Sequence, residues 1–129
     1  MRPVRKIGKK IWAIAEGYIP EGSHGPKPDF ESHETVCILN CGIRDAHVDL
    51  TIFFHDRAPA GPFRLLVPGE RTLHQRINDL SDPEKIPHST DYSMLIESDV
   101  PVVVQHTRLD SRQAANALLT TIAYSQEAA

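Results

Sequence analysis

The fold is decided by residues 100–112, Val-Pro-Val-Val-Val-Gln-His-Thr-Arg-Leu-Asp-Ser-Arg, in which an apolar β-branched run leads directly into a polar cluster. Such a run is typical of a central strand that is buried on both faces. The cluster consists of His106, Arg108, Asp110 and Arg112. Because this cluster follows a rigid strand, we expect it to bind a ligand or to form a contact between subunits.

Short strands separated by turn residues make up most of the remaining chain. The pattern predicts strands over residues 11–16, 34–41, 46–54, 63–67, 71–77, 92–97 and 100–107. Pro68-Gly69 predicts a hairpin between the fourth and fifth of these strands. Residues 113–119 have helical propensity, but 119–124 have the β-branched and aromatic content of an eighth strand, so we predict a turn and then a strand. Strands at this spacing, without long helical crossovers, predict an all-β fold, an antiparallel β-sandwich of jelly-roll type in a single domain.

The length of 129 residues suits one domain. We divide the chain into a basic N-terminal arm over residues 1–10, a β-sandwich domain over residues 11–124 and a flexible tail over residues 125–129. No window approaches the roughly 20 apolar residues that span a bilayer, and no apolar segment of signal-peptide length begins the chain. These features predict a cytoplasmic protein.

The charge is distributed unevenly. Five of the fourteen basic residues lie in the arm, which has no acidic residue, so residues 11–129 carry nine basic against seventeen acidic residues and a net charge of −8. A body of this charge repels phosphate backbones, which disfavours a nucleic-acid partner unless the arm itself makes the contact. The favoured interpretation of the arm is a frayed, solubilising terminus.

Several strands are apolar on both faces. Val36 and Ile38 alternate with Cys37 and Leu39, and residues 102–104 are all valine. A small sandwich has only one inner face in each sheet, so we expect another subunit, rather than loops, to cover the surplus apolar surface.

Neither the cysteines nor the histidines match a known metal motif. Cys37 and Cys41 would lie about 13 Å apart in a regular strand, too far for a disulfide, and we interpret both as small buried hydrophobes. The seven histidines include no His-x-His or His-Glu-x-x-His pattern. Pro68-Gly69 with His74 and Asn78 weakly resembles the second half of a cupin motif, but the first half is missing. We assign no metal ligand and no cofactor.

Catalytic motifs are equally scarce. Ser32-His33-Glu34 has the residue types of a triad, but triads are assembled by the fold rather than by adjacency, and no Gly-x-Ser-x-Gly elbow is present. We assign no catalytic residue.

The polar cluster favours recognition over chemistry. Guanidinium groups bind carboxylates and sugar hydroxyls in fixed planes, and we expect Asp110 to stay ionised and orient both Arg108 and Arg112. Trp12 offers a stacking surface, although a core position in the first strand is the favoured interpretation. The full set of candidate ligand- or partner-binding residues is Trp12, Glu16, His33, Glu34, His106, Arg108, Asp110 and Arg112.

Two loops, residues 17–30 and 79–91, exceed ordinary connector length and are rich in glycine or proline. Long loops of this kind are more often functional than idle. The two loops are candidates to form the rim of a pocket or to contact a neighbouring subunit.

Several longer strings closely resemble the Anabaena-type sensory rhodopsin transducer family, over about residues 12–124. They are Trp12-Ala-Ile-Ala-Glu-Gly-Tyr-Ile-Pro20, Ser32-His-Glu-Thr-Val-Cys-Ile-Leu-Asn40, Asp45-Ala-His-Val48, Gly61-Pro62, Asn78-Asp-Leu80 and Val103-Val-Gln-His-Thr-Arg-Leu-Asp-Ser-Arg-Gln113. The resemblance implies a small soluble protein with a jelly-roll-like β-sandwich that assembles as a four-fold symmetric tetramer. It also implies binding to the cytoplasmic face of a microbial rhodopsin, without a known enzymatic activity.

Sugars or related metabolites, and DNA, are further partners that the resemblance raises for the wider family. Gly69-Glu70 stands where the family would lead us to expect a more basic pair, which argues against DNA. The acidic body suits the Lys- and Arg-rich cytoplasmic loops of membrane proteins. We therefore predict a non-enzymatic signalling adaptor, a homotetramer that couples a membrane sensor or small ligand to a downstream partner. The alternative is a carbohydrate or small-metabolite binding module without a rhodopsin partner.

Overall fold

The computed structural model describes residues 6–128, which form eight β-strands, one short 3-10 helix and no α-helix. The strands are β1 (Lys9–Gly17), β2 (His33–Asn40), β3 (Ala46–Phe54), β4 (Ala60–Val67), β5 (Arg71–Arg76), β6 (Tyr92–Asp110), β7 (Ala117–Ile122) and β8 (Tyr124–Gln126), and the helix covers Ile77–Asp79. Every strand pairing is antiparallel. The predicted all-β sandwich is therefore confirmed.

Strand β6 belongs to both layers of the sandwich. Its first half lies between β1 and β3, in a layer ordered β4-β3-β6-β1-β8. Its second half lies between β2 and β7, in a layer that continues to β5. The prediction of two separate strands over 92–97 and 100–107 was wrong, because Ser98 and Asp99 stay extended and join them into one strand of 19 residues.

The predicted hairpin around Pro68-Gly69 was also wrong. β4 pairs with β3, whereas β5 pairs with β2, so the turn carries the chain from one layer to the other. The buried amide of Asn40 donates to Val67 O at 3.0 Å, and Glu70 N donates to Gly42 O at 2.8 Å. A Cβ on Gly69 would lie 2.3 Å from Ile43 O, so only glycine permits this close approach of the two turns.

The end of the chain differs from its prediction. The eighth predicted strand is two strands, because Ala123 leaves the edge of β7 and is buried, with its N–H donating to Val104 O at 3.1 Å. β8 then pairs with β1 and includes Ser125 and Gln126, which the prediction placed in a flexible tail. In the predicted arm, Lys9 and Lys10 are the first residues of β1, and residues 1–5 lie outside the described residues.

Alternation along the strands builds the core. In β3, Val48, Leu50 and Ile52 are buried while His47 and Asp49 are exposed. The inward residues of β2 and β6 are buried, whereas Leu39 on the outer face is 43% exposed. Cys37 and Cys41 are free, as predicted, but half-buried rather than buried. None of the described residues forms a helix long and apolar enough to cross a bilayer.

Candidate functional site

A buried carboxylate organises one end of the sandwich. Glu34, the second residue of β2, is 0% exposed. Its Oε1 accepts a hydrogen bond from the Tyr92 hydroxyl and lies 3.1 Å from His106 Nε2. Its Oε2 accepts from Arg108 Nε–H and, at 3.0 Å, from the backbone N–H of Tyr18. We refer to Glu16, Glu34, Tyr92, His106 and Arg108 as the Glu34 cluster.

Strand register brings the cluster together. Glu34 lies opposite Arg108 and Val36 lies opposite His106 across β2 and β6, so all four side chains share the inner face. Tyr92 begins β6 and lies opposite Gly17 at the end of β1. A Cβ on Gly17 would lie 2.4 Å from the Tyr92 ring, so the glycine makes room for the ring to reach Glu34.

The Glu34 cluster stabilises the ionised forms of Glu34 and Arg108. Burial alone would raise the pKa of Glu34, but hydrogen bonds from His106, Tyr92, Tyr18 N–H and Arg108 outweigh it and lower the pKa below its ordinary value. Burial lowers the pKa of Arg108, yet its bonds to Glu16 and Glu34 raise the pKa overall. Burial and the charge of Glu34 raise the pKa of Tyr92, which stays neutral. With two donors on each oxygen, Glu34 has little capacity left to bind a ligand directly.

The accessible part of the cluster is Glu16. Its side chain is 76% exposed, whereas that of Arg108 is 19% exposed, and Arg108 Nη2 lies 2.6 Å from Glu16 Oε2. Because Glu34 fixes the Nε of Arg108, the guanidinium presents its Nη atoms outward in a set orientation. Glu16 is thus the group of the cluster that a partner can reach without breaking the buried network.

Glu16 lines two clefts. The Phe53 cleft, of about 450 Å³, is lined by Glu16 with Phe53, Phe54, His55 and Asp91 among others. The Tyr124 cleft, of about 330 Å³, is lined by Glu16, His106, Arg108, Leu119, Ile122 and Tyr124 among others. Both clefts combine apolar walls with polar groups, the usual composition of a recognition site.

The other predicted site residues lie apart from this cluster. Arg112 binds Asp110, with Nη2 2.6 Å from Oδ2, and this bond is the main reason that the pKa of Asp110 is lowered. Asp110 makes no hydrogen bond to Arg108, so the expectation that it orients both arginines holds only for Arg112. His33 Nδ1 lies 2.6 Å from Glu31 O, on the opposite side of β2 from Glu34.

Trp12 is a core residue, as the favoured interpretation held. It is 5% exposed, and its Nε1 donates to Val102 O at 3.1 Å and to Lys9 O at 2.9 Å. With both its ring and its donor engaged, it offers no stacking surface. Of the predicted site residues, only Glu16, Glu34, His106 and Arg108 come together.

Sequence reasoning missed Tyr92 and Asn78. The amide of Asn78 accepts from Glu34 N–H at 3.2 Å and donates to Ser32 O at 3.0 Å, which fixes the start of β2. Tyr92 belongs to no recognised motif. Asn78 lies in the family string Asn78-Asp-Leu80 and in the weak cupin-like pattern, but neither of these indicates a bond to Glu34. The one available signal was parity, because Glu34 shares its strand face with Val36 and Ile38 and so had to be buried.

Two buried serines anchor the long loop before β2. Ser111 N–H donates to Ser32 Oγ at 3.0 Å, and Ser32 Oγ donates to Gly22 O at 3.0 Å. Ser111 Oγ donates to Phe30 O at 2.5 Å. We call this pair the serine latch. The second long loop joins the first through Ser89 N–H and Ile19 O at 2.8 Å, and residues of both loops line a pocket of about 400 Å³.

No metal site is evident in the described part of the chain. Among residues 6–128, no group of three or more His, Cys, Asp or Glu side chains is arranged to hold an ion. Separately, the exposed Glu16 edge of the Glu34 cluster and its two clefts have the geometry of a binding surface.

Comparisons with known proteins agree with the fold. The family described as Anabaena sensory rhodopsin transducer matches residues 7–125. The solved structure of the Anabaena sensory rhodopsin transducer has 63% sequence identity and a TM-score of 0.75, over 85% of this chain and 96% of that one. The crystal structure of Thermotoga maritima 1070 has 36% identity and a TM-score of 0.84, over 95% of this chain and 99% of that one. No curated protein matches the sequence.

Proposed function

Because this chain belongs to the Anabaena sensory rhodopsin transducer family, we propose that it is a signalling adaptor that couples a membrane sensor to a downstream partner. In this proposal the adaptor is a cytoplasmic homotetramer and catalyses no reaction. Its membrane partner is the cytoplasmic face of a microbial rhodopsin. The observation that carries the proposal is the family match over nearly the whole chain, together with a fold that leaves a strand exposed for association.

Support for the assembly comes from β7. All six of its residues are exposed, and Leu118, Leu119 and Ile122 are 70%, 51% and 58% exposed. Among the described strands β7 pairs only with β6, so its other edge is unpaired. An exposed apolar edge strand is a template for association unless another chain covers it. A neighbouring subunit is the covering that we propose.

Support for the rhodopsin partner comes from charge. Residues 11–129 carry a net charge of −8, and cytoplasmic loops of membrane proteins are enriched in Lys and Arg. Glu16 is an exposed acid that lines both clefts, and Asp91 also lines the Phe53 cleft. A basic side chain of the partner would meet Glu16 there, and apolar neighbours would enter the clefts.

Binding to purified Anabaena sensory rhodopsin in lipid nanodiscs tests this proposal. We expect measurable binding that weakens as salt rises, because the attraction is electrostatic. Glu16→Gln should weaken it about threefold to tenfold by removing one charge at the interface. Glu97→Gln is the matched control, because Glu97 is exposed on the same layer and lines neither cleft.

Arg108→Ala is a poorer probe, since Arg108 also supports the buried Glu34. Absence of binding by the wild-type protein would contradict the rhodopsin partner. Equal weakening by the Glu16 and Glu97 variants would contradict the docking surface.

The Tyr124 cleft favours one alternative, a module that binds a sugar-like small ligand. It places an aromatic ring near Arg108 and His106, a combination suited to stacking and to hydroxyl recognition. A thermal-shift screen of monosaccharides separates the two functions. A shift that Tyr124→Ala abolishes, with no rhodopsin binding, would favour the module.

A further inference from the structure

Another pocket lies at the opposite end of β1 from the Glu34 cluster. It has a volume of about 330 Å³ and is lined by Lys6, Lys10, Ile43, Arg44, Val100 and Pro101 among others. Lys10 and Glu16 are six positions apart along β1, which corresponds to about 20 Å. We call it the basic pocket, and its role is separate from the adaptor function proposed above.

Its three cations have no acidic partner among residues 6–128. No carboxylate in this range lies within ion-pair distance of Lys6, Lys10 or Arg44. The neighbouring Lys9 does have one, Glu127, but successive residues of a strand point to opposite faces. Three cations around one cavity, with no acidic partner in the described range, create a local positive potential in a chain whose net charge is −3.

The acidic residues next in sequence are engaged elsewhere. Asp45 Oδ1 accepts from Gly69 N–H at 3.1 Å. Asp99 receives the backbone N–H of His47 at 2.8 Å, and its Oδ2 lies 2.9 Å from the His47 ring. Neither of these two carboxylates lies within ion-pair distance of Lys6, Lys10 or Arg44.

The backbone around the pocket is fixed. Asn40 is fully buried, donates to Arg44 O at 2.8 Å and accepts from Gly42 N–H at 3.0 Å, so these two hydrogen bonds restrain the turn that carries Ile43 and Arg44. A Cβ on Gly8 would lie 2.0 Å from Val102 O. The absence of a side chain lets the backbone of Gly8 lie against that of Val102, and Lys9 pairs with Val102 in the sheet, which places the segment between Lys6 and Lys10 against β6. A site built on fixed backbone loses little entropy when a ligand binds.

The floor of the pocket determines the class of ligand. Ile43 is 56% exposed, and Val100 and Pro101 lie beside it. An inorganic anion would satisfy the cations but leave this apolar surface in water. We propose that the basic pocket binds a small amphipathic anion, a carboxylate or phosphate group joined to a short apolar chain. Such a group occurs in soluble organic acids and phosphate esters and also at the surface of anionic lipids.

Titration calorimetry with hexanoate and hexyl phosphate tests the site. We expect both to bind at low ionic strength and to perturb the NMR amide signals of Gly42, Ile43 and Val100. Inorganic phosphate lacks the apolar chain and hexanol lacks the negative charge. Each should therefore bind at least about fivefold more weakly than the two probes. The double variant Lys10→Gln/Arg44→Gln should weaken hexyl phosphate binding about tenfold.

Lys85→Gln is the matched control, because Lys85 is exposed on a distant loop and lines none of the pocket. Both substituted side chains of the double variant are exposed, and an unchanged amide spectrum elsewhere shows that it is folded. Cosedimentation with phosphatidylglycerol vesicles identifies the source: vesicle binding that the double variant loses points to a lipid, and binding of the soluble probes alone points to a metabolite. The proposal is overturned if neither hexanoate nor hexyl phosphate binds, if hexanol binds as well as they do, or if Lys85→Gln weakens binding as much as the double variant.

Discussion

A single residue, Glu34, links four neighbouring residues by hydrogen bonds at one end of the molecule. A carboxylate with no exposure is unstable in a protein interior unless donors replace its lost water, and four donors do so here. Replacing it by an amide keeps the shape but removes the charge that Arg108 pairs with. We expect Glu34→Gln to lower the free energy of unfolding by about 3 kcal/mol in urea titration. Glu97→Gln, an exposed change of the same chemistry, should alter it by less than about 0.5 kcal/mol.

The same residue predicts how stability depends on pH. The pKa of Glu34 is lowered in the folded state, so the unfolded chain takes up its proton first as the pH falls. The contribution of Glu34 is therefore fully present above its ordinary pKa of 4.5 and is lost progressively as the pH falls below that value. Unfolding titrations between pH 3 and 7 should show a steeper fall for the wild-type protein than for Glu34→Gln. Parallel curves would show that Glu34 is not preferentially ionised in the folded state.

At the scale of single residues, the sequence reveals part of the site. The parity of Glu34 with Val36, and of His106 with Val104, is enough to mark both side chains as inward-facing. Their partners are not visible in the sequence, because Tyr92 and Arg108 lie 58 and 74 positions from Glu34 in the chain. Trp12, Asp110 and Arg112 have side chains suited to binding. The local sequence does not reveal that Trp12 is enclosed by the core, or that Asp110 and Arg112 are bonded to each other.

Among the elements, the serine latch determines the path of the first long loop. Ser32 and Ser111 are 1% and 0% exposed, and together they join the loop, the start of β2 and the end of β6. Ser111→Ala removes the donor to Phe30 O and leaves that carbonyl without its partner. We expect a loss of about 1–2 kcal/mol and faster amide hydrogen exchange at residues 22–32. The exposed change Ser81→Ala is the control, and unchanged exchange in the Ser111 variant would contradict the latch.

The strands themselves follow from alternation, but their partners do not. Residues 63–67 and 71–76 are extended, as the pattern predicts, yet the turn between them connects two layers instead of closing a hairpin. The reason is a tertiary contact. The bond from Asn40 to Val67 O and the close approach of Gly69 to Ile43 place the turn at Gly69 against the turn at Ile43, which is distant in the sequence. The pattern divides β6 in two because Ser98-Asp99 is typical of a break, whereas Asp99 is held by His47 across the sheet.

For the whole molecule, the decisive feature is the surface that one chain leaves uncovered. Leu118 and Ile122 lie on the face of β7 opposite to Leu119, and Tyr124 beyond them is 65% exposed. We expect light scattering at micromolar concentration to give four times the 14.4 kDa mass of the chain. Leu118→Lys/Ile122→Lys should shift the protein towards monomers, because burying two ammonium groups at a subunit contact is unfavourable.

The control for this experiment must add the same charge without removing apolar surface. Ser81→Lys/Gln113→Lys does so at two exposed polar positions and should leave the tetramer intact. Because both β7 side chains are exposed in the isolated chain, their replacement should change the chain's own stability little, and circular dichroism would show an intact β fold. In a closed ring each subunit presents two different surfaces, so loss of one of them should yield monomers rather than dimers. A tetramer that survives in the β7 variant would place the subunit contact elsewhere, and a monomeric wild-type protein would contradict the covering of β7 by a second copy.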